Sequence, residues 1–593
     1  MKTSPLNNIK VASPCSANWD EMLGDDRKRY CGECKLNVFN LSGMTKMEAE
    51  NLLLDSEGRV CVRFYRRSDG TVLTQDCPVG WAKKQFLVSI VLPCAVSMLG
   101  SFLLEHLLQP RPHRFWSRPL SALTLHKGIV AILFVLELVL FRRPWFAAAN
   151  VLALLLFLIL VNNAKFHSLR EPFICQDFEY FTDALKHPRL YLPFLGIGRA
   201  LAAITGIGGA IIAGMLLESP VPATLVYWGV ALFSTAGVMC ILLGSRFAPD
   251  ISCRPVEDLK RLGQLASLWL YGRAERLHRP ATPPASPAFQ STASPATGTT
   301  HPDVVVVQSE SFFDPRQNFP VIKPEILPQF DRLKETSQSH GLLQVPAWGA
   351  NTVRTEYAFL SALAPAELGI HRFNPYRWFA RNGTPTMAGF LKRQGYHTIC
   401  IHPYPGSFYK RDEVYPRMGF DEFIDISEFS PDDTTGPYVG DCAVADRVRE
   451  VLDAKRSRRG DAPLFIFVIT MENHGPLHLE RCRAEEALRY FTQTPPSGCE
   501  DLTIYLRHLV NADRMIGMLR ETLEHSEREG LICVYGDHLP IMPDVYKALG
   551  YPDGASDYVI WSNRKGGRQA MQRKDMDVWD LAGELVRQAG MGK

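Results

Sequence analysis

The chain of 593 residues is longer than one ordinary domain and fits about three or four folding units. Its formal net charge is only +3, which excludes a nucleic-acid binder whose affinity rests on a broad basic surface. The mean hydropathy of -0.06 averages two unlike parts: residues 86–244 are largely apolar, and the remainder has the composition of soluble protein.

Residues 1–80 read as a small soluble module holding Cys15, Cys31, Cys34, Cys61 and Cys77, five of the chain's 14 cysteines. Thr45–Leu54 reads as a short helix, and "CVRFYRRSDGTVLTQDC" as two strands around a Ser-Asp-Gly turn. In a reducing compartment this clustering points to a metal rather than disulfides, with Zn²⁺ and an iron–sulfur centre both suited to thiolates. A single CxxC with scattered partners equally suits a compact module with free thiols, and both readings stay open.

Five apolar segments follow: Phe86–Leu104, Gly128–Phe141, Trp145–Val161, Ala200–Leu217 and Val221–Gly244. A spanning helix needs roughly 20 apolar residues. Gly128–Phe141 falls short of that unless it extends back through His126 and Lys127; otherwise it is re-entrant or interfacial. Arg142-Arg143-Pro144 reads as the tip of a tight helical hairpin. No cleavable signal peptide is read before the first segment, because the N-terminus is polar and cysteine-bearing. Lys83-Lys84 and Arg142-Arg143 favour the cytoplasmic side, whereas Arg111, Arg114 and Arg118 in the opposite loop argue against it. Five spans with the N-terminus inside put the C-terminal half outside.

Val256–His278 reads as a juxtamembrane helix with Leu259, Leu262, Leu265 and Trp269 on one side. "RPATPPASPAFQSTASPATGTTHP" then reads as a Pro/Ala/Ser/Thr linker that cannot bury enough surface to fold, so residues 245–302 connect the membrane region to a second soluble domain at 303–593. There, buried strands alternate with helical stretches, the pattern of an α/β fold with a mostly parallel sheet. "DVVVVQS" is followed by Glu310, "HTICI" by His402, "LFIFVIT" by Glu472, Asn473 and His474, and "LICVY" by Gly536, Asp537 and His538. Ligands bind at the carboxyl ends of parallel strands. A carboxylate or imidazole after one strand is ordinary, but four on one edge suggest a site. The Asp–His pair and the distant Glu supply oxygen and imidazole ligands suited to Mn²⁺, Mg²⁺ or Zn²⁺. Thr352, in "ANTVRTEYAFLSAL", opens a helix with Val353, Tyr357, Leu360 and Leu363 at helical spacing. By itself it is a good N-cap.

These motifs, "QSESF" (308–312), "ANTVRTEYAFLSAL" (350–363), "IHPYPGSFYKRD" (401–412), "TMENHGPL" (470–477) and "VYGDH" (534–538), resemble those of the lipoteichoic acid synthase-like phosphoglycerol transferases of the alkaline phosphatase/sulfatase superfamily. They stand in family order and cover about half the chain. The resemblance implies five spans in the bacterial inner membrane followed by an extracytoplasmic catalytic domain, and with the N-terminus inside, the cysteine module is expected in the cytoplasm. It implies a divalent ion, often Mn²⁺, on Glu310, Thr352, Asp537 and His538, with Thr352 as nucleophile. It implies that His402, Tyr409 and Arg411 cradle a glycerol phosphate, with Tyr409 standing where lipoteichoic acid synthases carry Trp, a change that leaves head-group preference and acceptor open. His474 is a candidate for protonating the leaving alkoxide.

The implied reaction moves glycerol phosphate from a phosphatidylglycerol-like membrane lipid, through a phospho-threonine, to a hydroxyl of a glycan or polyglycerol phosphate. A sulfatase needs the Cys/Ser-x-Pro-x-Arg segment that matures to formylglycine, and none is read here. The alternatives are a phosphoethanolamine transferase of the same superfamily, or a non-catalytic membrane scaffold or sensor with the cysteine module as its responsive part. In an extracytoplasmic domain Cys482 and Cys499 are the closest cysteine pair in sequence and a candidate disulfide.

Overall fold

The computed structural model of the chain describes residues 4–9, 16–56, 60–68, 70–76, 85–179, 197–280, 282–289, 301–459, 462–564 and 572–591. Two compact units divide it. One comprises Met1–Leu103, Lys127–Leu154 and Ile211–Cys240; the other comprises Leu104–His126, Leu155–Ala210 and Ile241–Lys593.

In the first unit the N-terminal residues form a four-stranded sheet of β1 (Leu23–Gly24), β2 (Lys28–Tyr30), β3 (Asn37–Asn40) and β4 (Cys61–Arg63), in that order. The expected helix runs Lys46–Leu54, with Thr45 and Glu48 in a reciprocal capping box. Among the described residues of the expected two-stranded stretch, β4 is followed by an antiparallel bridge between Arg66 and Val72. Among the described residues, Leu6, Leu41 and Ala49 form the buried cluster beneath the sheet.

Among the described residues, four helices are long and apolar enough to cross a membrane: Leu87–Leu107, Leu120–Phe141, Pro144–Leu169 and Ala223–Arg246. The short segment at 128–141 is therefore part of a 22-residue helix, completed through His126 and Lys127 back to Leu120. The remaining apolar segment lies in the helix Ile197–Leu217, whose side chains are described only in part. Large apolar side chains such as Leu99, Leu103, Leu140, Leu160 and Leu242 face outward from these helices, as suits a lipid environment. At the Arg-Arg-Pro tip, the Glu218 carboxylate accepts from the backbone N–H groups of Trp145 and Phe146 and caps the third helix.

In the second unit the expected juxtamembrane helix is broken in two, Pro255–Leu262 and Gln264–Leu277, at Gly263 with φ +81°. A Cβ there would sit 2.7 Å from Glu105 Oε1, so the break lets this backbone close on a buried carboxylate that also pairs with Arg118. Part of the stretch read as linker is packed: Phe289 is 1% exposed, its ring lies tilted 6.0 Å from that of Phe390, and its carbonyl accepts from Arg393 Nη2.

The C-terminal sheet contains β5 (Asp303–Ser309), β6 (Ser339–Gln344), β7 (His397–Ile401), β8 (Glu422–Ile424), β11 (Leu464–Ile469), β12 (Gly530–Gly536), β13 (Ser556–Ser562), β14 (Gln572–Arg573) and β15 (Met576–Asp577); β9 (Thr434–Thr435) and β10 (Tyr438–Val439) form a separate hairpin. The order is β14-β6-β13-β12-β5-β11-β7-β8, with β15 also on β6. The run from β12 to β8 is parallel, whereas β13 is antiparallel to both its neighbours, so the sheet is mixed. Its central strands are continuous apolar runs because both faces are covered. Val305 and Val307 of β5 enter one core with the helices Asp441–Arg459 and Glu500–Glu524; Val304 and Val306 enter the other with Thr352–Ser361 and Val578–Gln588.

Candidate active site

Register fixes the site. Ser309 pairs with Gly536, Gln308 with Ile469, and Val468 with Ile401, so the residues that follow β12, β5, β11 and β7 emerge together at one sheet edge. Gly536 is required there, because a Cβ would lie 1.8 Å from the Phe312 carbonyl oxygen. The chain after β5 turns sharply at Ser311, whose φ is 55°. Its backbone N–H donates to Asp537 Oδ1 at 2.9 Å and its hydroxyl to Glu310 Oε1 at 3.0 Å. Glu310 is fixed from the other side by its own N–H, which donates to Thr470 Oγ1.

Glu310, Asp537 and His538 are buried and offer ligand atoms within 4.8 Å of one another. His538 Nε2 lies 3.3 Å from Asp537 Oδ2 and 3.6 Å from Glu310 Oε1, while its Nδ1–H donates to the Leu539 carbonyl and leaves Nε2 as the free ligand. Asp537 Oδ2 has no hydrogen-bond partner. Burial, and then the charge of Asp537, push the Glu310 carboxyl up to about 8. Two adjoining buried carboxylates and an oriented imidazole are a donor set that a hard or borderline divalent cation fits, and its charge would relieve their repulsion.

Thr352 faces the same place. It lines a narrow cavity of about 30 Å³ with Glu310, Asn351, His402, Tyr409, Arg411 and His474. It is not an N-cap: Asn351 takes that position in the left-handed region (φ 67°), and Thr352 is the first residue of the helix Thr352–Ser361. Its hydroxyl is therefore not committed to capping, and it stands where free helical N–H groups favour an anion. Thr355, the other hydroxyl near the helix start, is buried and donates to the Asp537 carbonyl at 2.7 Å. Left-handed non-glycine residues gather here at Ser311, Asn351, Tyr409 and Lys410, the kind of backbone strain that functional sites retain.

The expected phosphate cradle differs from its simple reading. Arg411 is 1% exposed and already engaged: Nη2 donates to Glu356 Oε2 at 2.8 Å, Nη1 to His402 Nε2 at 3.2 Å and Nε to Tyr415 Oη at 3.1 Å. Its guanidinium lies 5.2 Å from the Tyr409 ring. Arg411 thus borders the cavity as one half of an internal ion pair. His402 is held as the neutral Nδ1–H tautomer, donating to the Ile469 carbonyl; burial, then Arg411, put its pKa well below the usual value. His474 lines the same cavity; burial lowers its pKa, and its Nδ1–H donates to the Gly475 carbonyl at 2.7 Å.

The expected Cys482–Cys499 bridge is not made, and both are free thiols. Cys499 is buried in the core at the start of the helix Glu500–Glu524, while Cys482 Sγ turns to the Arg483 carbonyl. Cys31, Cys34 and Cys61 form no disulfide among the described residues, and Cys15 and Cys77 of the same expected set lie outside them.

Sequence reasoning missed Ser311, which donates to the Glu310 and Asp537 carboxylates, Thr470, which accepts from the Glu310 backbone N–H, and Glu356, which neutralises Arg411. Glu356 was visible only as a landmark four residues after Thr352. Its role depends on Tyr376 and Tyr415, which hydrogen-bond to it from distant turns.

Residues 302–591 match the Sulfatase family model, and the C-terminal half is an alkaline phosphatase/sulfatase-like domain. The chain is 28% identical over 493 residues to the capsular polysaccharide biosynthesis protein RkpI of Rhizobium meliloti, covering 78% of this chain and 86% of that one. It is 25% identical over 163 residues to the lipoteichoic acid synthase of Staphylococcus aureus, a match limited to 27% of this chain and 23% of the synthase. Among solved structures, the integral membrane protein lipooligosaccharide phosphoethanolamine transferase A of Neisseria meningitidis superposes with a TM-score of 0.54, covering 85% of this chain and 96% of that one at 14% identity. That likeness extends the shared fold through the apolar helices.

Proposed function

We propose that the chain is a membrane-bound, metal-dependent phosphoglycerol transferase acting through Thr352, with its catalytic domain outside the cytoplasm. The observation that carries this reading is the uncommitted Thr352 hydroxyl at a helix N-terminus, sharing one cavity with Glu310 at the edge where Asp537 and His538 also emerge. Glu310, Thr352, Asp537 and His538 would hold the cation, Mn²⁺ in the first instance, which lowers the pKa of a coordinated hydroxyl and offsets phosphoryl charge.

Thr352 Oγ attacks the phosphorus of phosphatidylglycerol; the bond to the diacylglycerol oxygen breaks, and glycerophosphoryl-threonine forms. The proton leaving Thr352 ends on the diacylglycerol oxygen, with His474 the cavity imidazole suited to take it up and deliver it. A hydroxyl of a glycan or polyglycerol phosphate then attacks the same phosphorus, and Thr352 regains its proton. Arg411 presents fixed positive charge beside His402 and Tyr409, preorganised by Glu356. The apolar helices suit a donor that resides in the bilayer.

The test is turnover of labelled phosphatidylglycerol and phosphatidylethanolamine, in parallel, by the purified full-length protein with and without Mn²⁺. Release of diacylglycerol from phosphatidylglycerol alone supports the reading. Preference for phosphatidylethanolamine replaces it with a phosphoethanolamine transferase, and no metal-dependent turnover of either returns the scaffold reading.

A further inference from the structure

We infer that Ser168–Glu171, where the third apolar helix leaves its apolar stretch, is a clamp that positions Thr352, making Glu171 a positioning residue for transfer. This rests on the functional reading above, and three contacts carry it. Arg354, two residues beyond Thr352, is buried and makes a bidentate pair with Glu171, Nη1 to Oε2 at 2.8 Å and Nη2 to Oε1 at 3.0 Å. Arg170 stacks its guanidinium 5.0 Å from the Trp348 ring and 4.7 Å from that of Tyr551. Between them Gly349 has φ +71°, and a Cβ there would meet Ile541 at 2.8 Å, Leu169 at 3.2 Å and the Ser168 carbonyl at 3.3 Å.

The backbone leading into Thr352 is therefore gripped between the end of the helix Pro144–Leu169 and the loop beyond His538. Glu171 is itself fixed by Lys165 Nζ, 2.7 Å away, which also binds Asp177 at 2.6 Å. Burial alone would raise the Glu171 carboxyl, but Arg354 and Lys165 outweigh it and hold it down at about 2. The pair is thus charged on both sides and hydrogen-bonded in fork geometry, which fixes direction as well as distance. The stretch 349–352 contains two left-handed residues, and such a segment keeps one geometry only when its surroundings determine it. The clamp supplies that determination from a segment directly continuous with an apolar helix, so the nucleophile is set by the same element that meets the bilayer.

The experiment compares the full-length protein with Glu171→Gln, Arg354→Gln and the double variant in nanodiscs containing labelled phosphatidylglycerol. Hydrogen exchange of residues 349–356 is read beside turnover. Each single variant should exchange faster there and lose at least about tenfold in kcat with KM within about twofold, and the double should fall no further than the worse single, because the two act as one unit. If Glu171→Gln does not fold, Arg170→Ala is read in the same way, since it removes only the stack on Trp348 and Tyr551. Unchanged exchange at 349–356 overturns the clamp whatever the activity. Faster exchange with unchanged kcat, or additive losses in the double, overturns the positioning role. Faster exchange in a protein whose wild type turns over no glycerophospholipid keeps the clamp and rejects the functional reading.

Discussion

Arg411 and Glu356 form a fully buried ion pair, Nη2 to Oε2 at 2.8 Å, with the carboxylate also bonded by the Tyr376 and Tyr415 hydroxyls. The arginine at the rim of the cavity is thus held by a residue of the very helix that begins with Thr352. Removing one partner of such a pair strands the other charge, which costs about 3–5 kcal/mol. Arg411→Ala should therefore destabilise the domain and lower turnover of phosphatidylglycerol at least about a hundredfold. Adding Glu356→Gln should restore stability without restoring turnover. Thermal melting beside kinetics separates the two effects, and recovery of turnover in the double variant would assign Arg411 a purely structural role.

Thr352→Ala should abolish turnover while leaving the melting temperature and most cation affinity unchanged, because Glu310, Asp537 and His538 remain. Thr355→Ala should act differently. Its hydroxyl holds the Asp537 carbonyl, so its loss should weaken cation binding and stability by about 1 kcal/mol. Calorimetric Mn²⁺ titration of both variants checks this; equal effects on metal affinity would count against the assignment.

Cation binding should stabilise the fold by mass action, by about 2.7 kcal/mol at a hundredfold excess over Kd. A chelator should lower the melting temperature of the wild type, and Asp537→Asn should remove that difference. A wild-type melting temperature indifferent to both chelator and Mn²⁺ would reject the cation site.

His508 lies between Glu472, 3.0 Å from Nδ1, and Glu480, 2.9 Å from Nε2, with Asp441 also nearby. Burial opposes its charge, but hydrogen bonds to Glu472 and Glu480 outweigh it and raise its pKa to about 9. A folded pKa above the unfolded value of about 6.5 gives stability that is fully present below pH ~6.5 and lost as pH rises through about 9. His508→Gln should therefore cost most, up to about 3 kcal/mol, at pH 6, and much less at pH 9.5. Denaturation profiles at the two values check the sign.

The sheet edge was legible because a parallel sheet obliges each apolar run to end beside its neighbours, so Glu310, His402, His474, Asp537 and His538 could be gathered from local pattern alone. The antiparallel β13 was not, since nothing in "SDYVIWS" encodes its direction. Thr352 was readable as a helix start, but the shift from cap to first residue depends on Asn351 adopting φ 67°. Glu356, Thr470 and Glu171 were hidden because their partners are 55, 160 and 183 residues away along the chain. The same contacts bear on experiment: a fragment of residues 303–593 lacks Glu171 and leaves Arg354 without its bidentate partner, so the full chain is the proper material.

Transfer through Thr352 requires a covalent intermediate on that residue. It is tested most directly by mass spectrometry of the full-length protein, acid-quenched during turnover of phosphatidylglycerol with Mn²⁺ present. A glycerophosphoryl group is expected on the peptide containing Thr352, absent from Thr352→Ala and without Mn²⁺. An adduct on another residue, or none at all while diacylglycerol is released at the wild-type rate, would contradict it.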